Sequence, residues 1–121
     1  MDKKKILIVD DDARNIFALT AVLKSRSYDC VSCQSALEAL EMLKTDGKID
    51  FILMDMMMPE MDGYEAIPQI RKIPSHAKTP IISVTAQAML GDREKSLNAG
   101  ADEYISKPVD IDKLLQVLDK L

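Results

Sequence analysis

Hydrophobic positions fall into two patterns along this chain, short continuous apolar runs and longer stretches with helical spacing. These runs predict strands at residues 6–9, 51–54 and 81–84, and further short strands are predicted at 28–32 and around 104–105. Between them, apolar residues recur three or four positions apart, which places them on one face of a helix. The stripes are Ile16, Leu19 and Leu23; Leu37, Leu40 and Leu43; Ile67, Ile70 and Ile73; and Ile111, Leu114, Leu115 and Leu118. A further helix is expected at about residues 87–98, ending at Gly100.

The order of these elements predicts the fold class. Each strand is apolar on both faces and is followed by a helix, which is the pattern of a parallel sheet covered on both sides. We therefore predict a doubly wound α/β fold. A chain of 121 residues accommodates one such unit, so residues 1–121 are expected to form a single domain.

Polar side chains follow four of the five predicted strands. They are Asp10, Asp11 and Asp12 after the first strand, Asp55 after the third, Thr85 after the fourth and Lys107 after the fifth. Parallel strands end at one edge of a sheet, where ligands of such folds bind. We therefore expect three or four carboxylates, one hydroxyl and one ammonium group within a small volume.

Clustered carboxylates repel one another, so they should hold either a cation or a proton. Oxygen ligands without His or Cys favour a hard ion, with Mg²⁺ the common choice where phosphate is handled. A carboxylate beside such an ion can attack phosphorus, while Thr85 and Lys107 contact phosphoryl oxygens. Simpler interpretations exist, because Asp10–Asp12 could only favour the next helix dipole and Lys107 could be a solvated loop residue. Complementary chemistry at four strand ends favours the functional interpretation.

Charge and composition exclude several classes of function. The net charge of −4, from 16 basic and 20 acidic residues, argues against a nucleic-acid surface. No apolar stretch approaches the length of a membrane span, so we expect a soluble, cytoplasmic protein. Cys30 and Cys33 lie three positions apart on a predicted strand, about 10 Å from each other on opposite faces. They are expected to be reduced thiols rather than a disulfide or a zinc site.

Four segments resemble the signatures of one family, the receiver domains of two-component response regulators. They are ILIVDD at residues 6–11, MDMMMPEMDG at 54–63, VTA at 84–86 and KP at 107–108. The second segment is similar to the phosphoacceptor loop D-x-x-M-P-x-M-D-G, and the four occur in the right order over essentially the whole chain. The resemblance implies a flavodoxin-like strand order, 2-1-3-4-5.

The resemblance also implies a role for each residue of the cluster. Asp55 would be the phosphoacceptor, and Mg²⁺ or Mn²⁺ would bind directly to Asp11, Asp55 and the carbonyl oxygen of Met57, with Asp10 acting through water. Thr85 and Lys107 would bind the phosphoryl group, and the small Ala86 would leave space for it. A cis peptide is implied between Lys107 and Pro108.

Signal output is implied to follow a shift in population. The phosphoryl group would draw Thr85 inward, and Tyr104 would fill the vacated space. A downstream protein would bind the remodelled surface of helix 4, strand 5 and helix 5, roughly residues 87–121. The simpler interpretation of Tyr104 is a half-buried strand residue with its hydroxyl in water.

We therefore expect a phosphorylation-dependent signalling switch, phosphorylated by a histidine kinase or a histidine phosphotransfer protein. It would catalyse only its own phosphorylation and dephosphorylation. Two alternatives are a phosphate-independent binding module on the same fold and a phosphohydrolase that uses the D-x-D spacing of Asp10 and Asp12. The chain ends directly after the fifth helix, so no output domain is expected, and both a stand-alone regulator and a receiver from a hybrid histidine kinase stay open.

Three local expectations complete the picture. Pro68 should make its helix start late or bend, because proline has no N–H and crowds the preceding turn. Met56, Met57 and Met58 should serve packing, since thioethers are poor Mg²⁺ ligands. His76, the only histidine, lies in a polar loop and is expected to be solvated.

Overall fold

The computed structural model of the chain describes residues 3–86 and 91–121. Its strands are β1 (Lys5–Val9), β2 (Asp29–Cys33), β3 (Phe51–Asp55), β4 (Ile81–Thr85) and β5 (Glu103–Ser106). Its helices are α1 (Ala13–Ser25), α2 (Ala36–Thr45), α3 (Gly63–Arg71), α4 (Asp92–Ala99) and α5 (Ile111–Lys120), and a 3-10 turn spans Pro74–His76. The predicted alternation of strands and helices is confirmed.

The five strands form one parallel sheet in the order β2-β1-β3-β4-β5, as the resemblance implied. Val9 pairs with Met54, and Asp55 pairs with Val84, so the carboxyl ends of the central strands are nearly level. β3 and β4 are buried along their whole length, which explains why their sequences are mostly apolar. The sheet thereby brings the residues that follow β1, β3 and β4 to one edge.

Apolar side chains form two cores, one on each face of the sheet. Leu7 and Val9 point into the core beneath α2 and α3, whereas Ile6 and Ile8 point into the core beneath α1 and α5. The two cysteines follow the same alternation: Cys33 belongs to the first core, and Cys30 packs against the second. Both are free thiols, as predicted.

Side-chain caps fix where the helices begin. Asp12 accepts a hydrogen bond from the Arg14 N–H at the start of α1, and Ser35 accepts one from the Glu38 N–H at the start of α2. Asp62 caps α3 in a complete capping box with Glu65. The caps satisfy backbone donors that no helix can satisfy internally.

One expectation about helices was wrong, and another was wrong in part. Leu37 is 53% exposed, because the buried face of α2 consists of Ala36, Ala39, Leu40 and Leu43. Of the two effects expected of Pro68, the late start of α3 is absent, since a capping box starts the helix at Gly63 and the helix continues through Pro68 to Arg71. The bend stays a prediction.

The prediction for His76 was wrong as well, since its side chain is fully buried. Its Nε2 atom lies 2.8 Å from the carbonyl oxygen of Asp46, and its Nδ1 atom lies 2.9 Å from the hydroxyl of Thr79. A carbonyl oxygen can only accept a hydrogen bond, so Nε2 carries the hydrogen and donates a hydrogen bond to the carbonyl oxygen of Asp46. His76 therefore ties the end of α2 to the loop before β4.

The fourth helix is described from Asp92 onward, so the predicted start at residues 87–90 lies outside the described residues. Its end agrees with the prediction. Gly100 follows α4 with a φ of 118° and donates its N–H to the carbonyl oxygens of the last turn. This left-handed conformation is readily accessible to glycine.

Candidate functional site

Three carboxylates meet where β1 and β3 end. One oxygen from each of Asp10, Asp11 and Asp55 lies within 4.8 Å of the others. Asp10 and Asp55 are 4% and 3% exposed, whereas Asp11 is open to solvent. The predicted convergence of these carboxylates is confirmed.

Backbone N–H groups hold the two buried carboxylates in place. The Asp12 N–H donates to Oδ1 of Asp10 at 2.8 Å, and the Met57 N–H donates to Oδ1 of Asp55 at 3.0 Å. In both cases the donor lies two residues after the acceptor, where the chain leaves its strand and turns. These bonds satisfy one oxygen of each carboxylate and leave the other oriented toward the shared site.

Lys107 supplies the positive charge opposite these carboxylates. Its Nζ atom lies 3.3 Å from Oδ2 of Asp55 and 3.3 Å from Oδ2 of Asp10. The backbone N–H of Lys107 donates to the carbonyl oxygen of Thr85 at 2.7 Å, which attaches the loop after β5 to the end of β4. The peptide between Lys107 and Pro108 is cis, as the resemblance implied.

Burial dominates the ionisation of this site. It raises the pKa of Asp55 to about 6, and nearby Asp10 acts in the same direction. The hydrogen bond from Met57 and the charge of Lys107 oppose this rise. For Lys107, burial lowers the pKa, but the two carboxylates more than compensate, so its pKa is raised and it remains protonated. Asp55 is therefore an ionisable carboxylate whose charge depends on its partners.

The donor set fits a divalent oxygen-seeking cation. Three carboxylates face one ammonium group, which leaves a net charge of about −2 when all are ionised. Carboxylate ligands without imidazole or thiolate suit Mg²⁺ or Mn²⁺. A bound ion would offset the repulsion between the carboxylates.

The remaining predicted phosphate contacts lie at the same edge of the sheet. Thr85 is buried at the end of β4, one position beyond the residue paired with Asp55. Ala86 follows it on the surface and, together with Asp55 and Lys107, lines a cavity of about 620 Å³. This cavity continues as an apolar cleft between α1 and the loop before α5.

Tyr104 lies elsewhere, half-buried on β5 opposite Ser83. Burial raises the pKa of its hydroxyl, and the neighbouring Asp92 and Tyr64 add to that effect. The residue thus sits where β5 meets α4 and α3. Its half-burial agrees with the simpler interpretation and leaves the switch role a prediction.

The sequence did not identify one neighbour of the site, Asn15. Its Nδ2 atom lies 3.5 Å from Oδ2 of Asp10, and it lines the same cavity. Its position in the first turn of the helix after Asp10 was the available signal. Asp12 caps α1 and pairs with Arg14, whose hydrogen bonds lower the pKa of Asp12.

The methionine segment divides between core and surface. Met56 and Met58 are buried, whereas Met57 is 47% exposed beside Asp55. Packing is therefore confirmed for two of the three, and Met57 presents an apolar side chain at the rim of the site.

Comparison with known proteins gives a consistent result. Residues 6–119 match the family described as the response regulator receiver domain. The chain is 38% identical over 113 residues to the signal transduction histidine-protein kinase BarA of Escherichia coli K12, covering 93% of this chain but only 12% of that kinase. It is 31% identical to the polar-differentiation response regulator DivK of Brucella ovis, covering 95% of this chain and 93% of DivK.

Solved structures agree with these relatives. The receiver domain of the sensor histidine kinase PA1611 from Pseudomonas aeruginosa, with a magnesium ion coordinated in its active-site cleft, is 34% identical with a TM-score of 0.89, covering 98% of this chain and 96% of that one. The receiver domain of Ssk1 from Saccharomyces cerevisiae, crystallised with the histidine phosphotransfer protein Ypd1, is 28% identical with a TM-score of 0.85, covering 94% and 85%. Within the described residues, no helix combines the length and apolarity needed to cross a membrane.

Proposed function

The chain belongs to the response regulator receiver domain family, and we propose that it is a phosphorylation-dependent switch whose phosphoacceptor is Asp55. The observation that carries the proposal is the group formed by Asp10, Asp11, Asp55 and Lys107 at the carboxyl edge of the sheet. Asp10 and Asp55 both contact Lys107 and lie within reach of the other carboxylates, and the position of Asp55 at the start of the segment resembling D-x-x-M-P-x-M-D-G favours it as the phosphoacceptor. No other cluster of three potential metal ligands occurs within residues 3–86 and 91–121.

The phosphoryl group would come from the phosphohistidine of a histidine kinase or a histidine phosphotransfer protein. An oxygen of Asp55 attacks phosphorus, the P–N bond of the donor breaks, and the imidazole nitrogen keeps the electron pair. Hydrolysis of the resulting acyl phosphate returns the carboxylate. The chain would thus catalyse only its own phosphorylation and dephosphorylation. The complex of Ypd1 with the receiver domain of Ssk1 supports this class of partner.

The neighbouring residues have complementary roles in this proposal. Lys107 neutralises one phosphoryl oxygen, Thr85 donates its hydroxyl to another, and the small Ala86 leaves room beside Asp55. Because phosphoryl transfer depends mainly on positioning and charge neutralisation, such a small group of residues is sufficient.

Asp11, Asp55 and the Met57 carbonyl oxygen would hold Mg²⁺ or Mn²⁺ directly, with Asp10 acting through water. The ion, when bound, supplies charge neutralisation for the phosphoryl oxygens. The buried, pre-oriented carboxylates and the magnesium-bound receiver domain of PA1611 support this assignment.

Signal output would follow from the phosphorylation of Asp55, and we propose that both take place in the cytoplasm. The phosphoryl group adds negative charge and new acceptors at the end of β4, so Thr85 moves toward it and Tyr104 changes its position. The surface of α4, β5 and α5 would then bind a downstream protein. Relatives of both kinds, the kinase BarA and the regulator DivK, support a role in phosphorelay signalling.

The test is phosphorylation by acetyl phosphate with Mg²⁺, followed by intact mass and peptide mapping. We expect one phosphoryl group on the wild type and none on Asp55→Asn. The matched control Asp119→Asn, an exposed carboxylate on α5, should still be modified. Absence of modification in a folded sample would overturn the proposal in favour of a phosphate-independent binding module. A phosphoryl group on Asp10 would indicate the phosphohydrolase alternative.

A further inference from the structure

Helix α4 has no buried apolar side chain among its described residues 92–99. Of its eight residues, DREKSLNA, only Ser96 is buried, whereas α2 buries four residues within ten. Helices in small proteins owe most of their stability to an apolar face packed on the core. With so small a buried face, α4 depends on individual contacts to stay in place.

The two ends of α4 are held differently. Gly91 precedes the helix with a φ of 93°, a left-handed conformation that glycine adopts readily, and it offers no side-chain cap. At the other end, Arg71 of α3 donates two hydrogen bonds to the carbonyl oxygen of Gly100. The C-terminal end of α4 is therefore tied to α3, whereas its first turn has no side-chain cap.

The buried residue of α4 does not compensate. The Ser96 hydroxyl is inaccessible to solvent and has no hydrogen-bond partner among the described residues. A buried hydroxyl without a partner weakens the packed state relative to one in which water can reach it. The Ser96 hydroxyl therefore contributes little to holding α4 in place.

A contact between side chains of α4 and α3 adds to the restraint at the Gly100 end. The Nζ atom of Lys95 lies 4.2 Å from the centroid of the Tyr64 ring, which places the cation over the aromatic face. Tyr64 is in the first turn of α3, immediately after Gly63 and the loop that begins at Asp55. The contact thus joins α4 to the helix that follows the proposed phosphoacceptor.

The surroundings of Tyr64 connect this contact to the switch region. Asp92, at the start of α4, and Tyr64 both act electrostatically on the hydroxyl of Tyr104. Tyr64, Tyr104 and the start of α4 therefore lie in one electrostatic environment. A change in the position of α4 alters the environment of Tyr104 directly.

We propose that the contact between Lys95 and Tyr64 is a latch that holds α4 on α3 and restrains its opening. Its effect on activation rests on the proposed function, because an activated state with α4 displaced must first lose this contact. Removing the latch should raise the population of open α4. The expected change is roughly two- to five-fold, the factor that corresponds to one exposed cation–π contact.

Hydrogen exchange of the unphosphorylated protein tests the latch directly. Lys95→Gln and Tyr64→Leu should each lower the protection of the α4 amides by roughly two- to five-fold. The conservative variants Lys95→Arg and Tyr64→Phe keep a cation and a ring, so they should retain wild-type protection. Amides of β1 and α2 report global stability and should not change in Lys95→Gln.

A double variant excludes independent effects of the two substitutions. Once Tyr64 is leucine, Lys95→Gln should cause no further loss of protection in α4. Additive losses, or equal protection in Lys95→Gln and Lys95→Arg, would overturn the latch. Because no phosphodonor is present, this result does not depend on whether Asp55 is phosphorylated.

The effect of the latch on activation is tested by a separate measurement, the affinity of the protein for beryllofluoride in the presence of Mg²⁺. Lys95→Gln should bind it roughly two- to five-fold more tightly than Lys95→Arg, since less free energy is needed to release α4. Equal affinities would overturn the regulatory role of the latch. Failure of the wild-type protein to bind beryllofluoride would count against the proposed function. Hydrogen exchange would still show whether the contact between Lys95 and Tyr64 restrains α4.

Discussion

The ammonium nitrogen of Lys107 lies 3.3 Å from Oδ2 of Asp55, so it joins the loop after β5 to the end of β3, across the intervening strand β4. The same nitrogen is equally close to Oδ2 of Asp10. One cation therefore faces two buried carboxylates. Its charge lowers the pKa of Asp55, although burial raises that pKa more strongly.

Lys107→Met should raise the pKa of Asp55 above its value of about 6, because the opposing positive charge is lost while burial and Asp10 remain. Phosphorylation by acetyl phosphate should slow by roughly 100-fold, as for removal of one preorganised electrostatic contact. Carboxyl ¹³C NMR titration measures the first effect and intact mass against time the second. Lys113→Met removes an exposed lysine from α5 and should change neither. An unchanged pKa in Lys107→Met would contradict the assigned electrostatic role.

The raised pKa of Asp55 also makes stability depend on pH. Between the ordinary value of 3.8 and about 6, the folded chain retains a proton that the unfolded chain has lost. The folded state therefore gains stability as pH falls through this window and loses it as pH rises. Above it, the ionised carboxylate destabilises the metal-free fold by at most about 3 kcal/mol.

Asp55→Asn should accordingly increase the free energy of unfolding at about pH 8 by about 1 to 3 kcal/mol, since the buried charge is removed. The increase should disappear near about pH 4, where the wild-type carboxyl is protonated in the folded state. Urea denaturation in EDTA, followed by circular dichroism at both pH values, measures the difference. Asp119→Asn, an exposed control, should show no comparable pH dependence. A gain of equal size at both pH values would refute the electrostatic explanation.

Gly63 packs so closely on the methionine segment that any side chain there must displace it. An added Cβ would collide with Sδ of Met56 and lie 3.0 Å from the backbone Cα of Met56 and 3.1 Å from Cγ of Met54. Gly63→Ala should reduce the free energy of unfolding by about 1 to 3 kcal/mol through overpacking. Gly47→Ala is the matched control, because its nearest neighbour would be Cβ of Ser75 at 3.6 Å. Equal urea midpoints for the two variants would contradict the prediction, because they would show that the residues around Gly63 accommodate the methyl group without a loss of stability.

The sequence predicted the convergence of these charged residues because the relevant signal is local. Asp10, Asp55 and Lys107 each follow an apolar run, and parallel strands necessarily bring such positions to one edge. The strand order needed the family resemblance, because alternating strands and helices do not by themselves specify which strands are adjacent. Local pattern and family signature together therefore predicted both the sheet and its charged edge.

Long-range contacts account for what the sequence did not predict. His76 lies among polar residues, but a carbonyl from the end of α2 and the hydroxyl of Thr79 satisfy its ring and allow burial. Leu37 continues an apolar spacing, but two alanines let the other face of α2 approach the sheet. Asn15 contacts Asp10 only because α1 begins at the Asp12 cap. Each outcome depends on how helices, strands and loops pack against one another. The spacing of residues along a single helix or strand does not specify that packing.

Arg71 illustrates the same principle at the opposite end of the sheet. Its guanidinium group donates to the carbonyl oxygens of Gly100, His76 and Thr79. It also pairs with the carboxylate of Asp102 at 2.9 Å. One side chain at the end of α3 thus connects the loops before β4 and β5.

Arg71→Lys should reduce the free energy of unfolding by about 2 to 3 kcal/mol even though the charge is conserved. A lysine has one nitrogen and cannot reproduce the planar fork, so at least one partly buried carbonyl loses its donor. Arg26→Lys, at an exposed position after α1, is the matched control and should change stability by less than about 0.5 kcal/mol. Urea denaturation gives both values, and hydrogen exchange should show the additional opening first at the start of β4, where Asp102 also accepts the Ile81 N–H. If Arg71→Lys were as stable as Arg26→Lys, a single charge at this position would suffice and the fork geometry would be irrelevant.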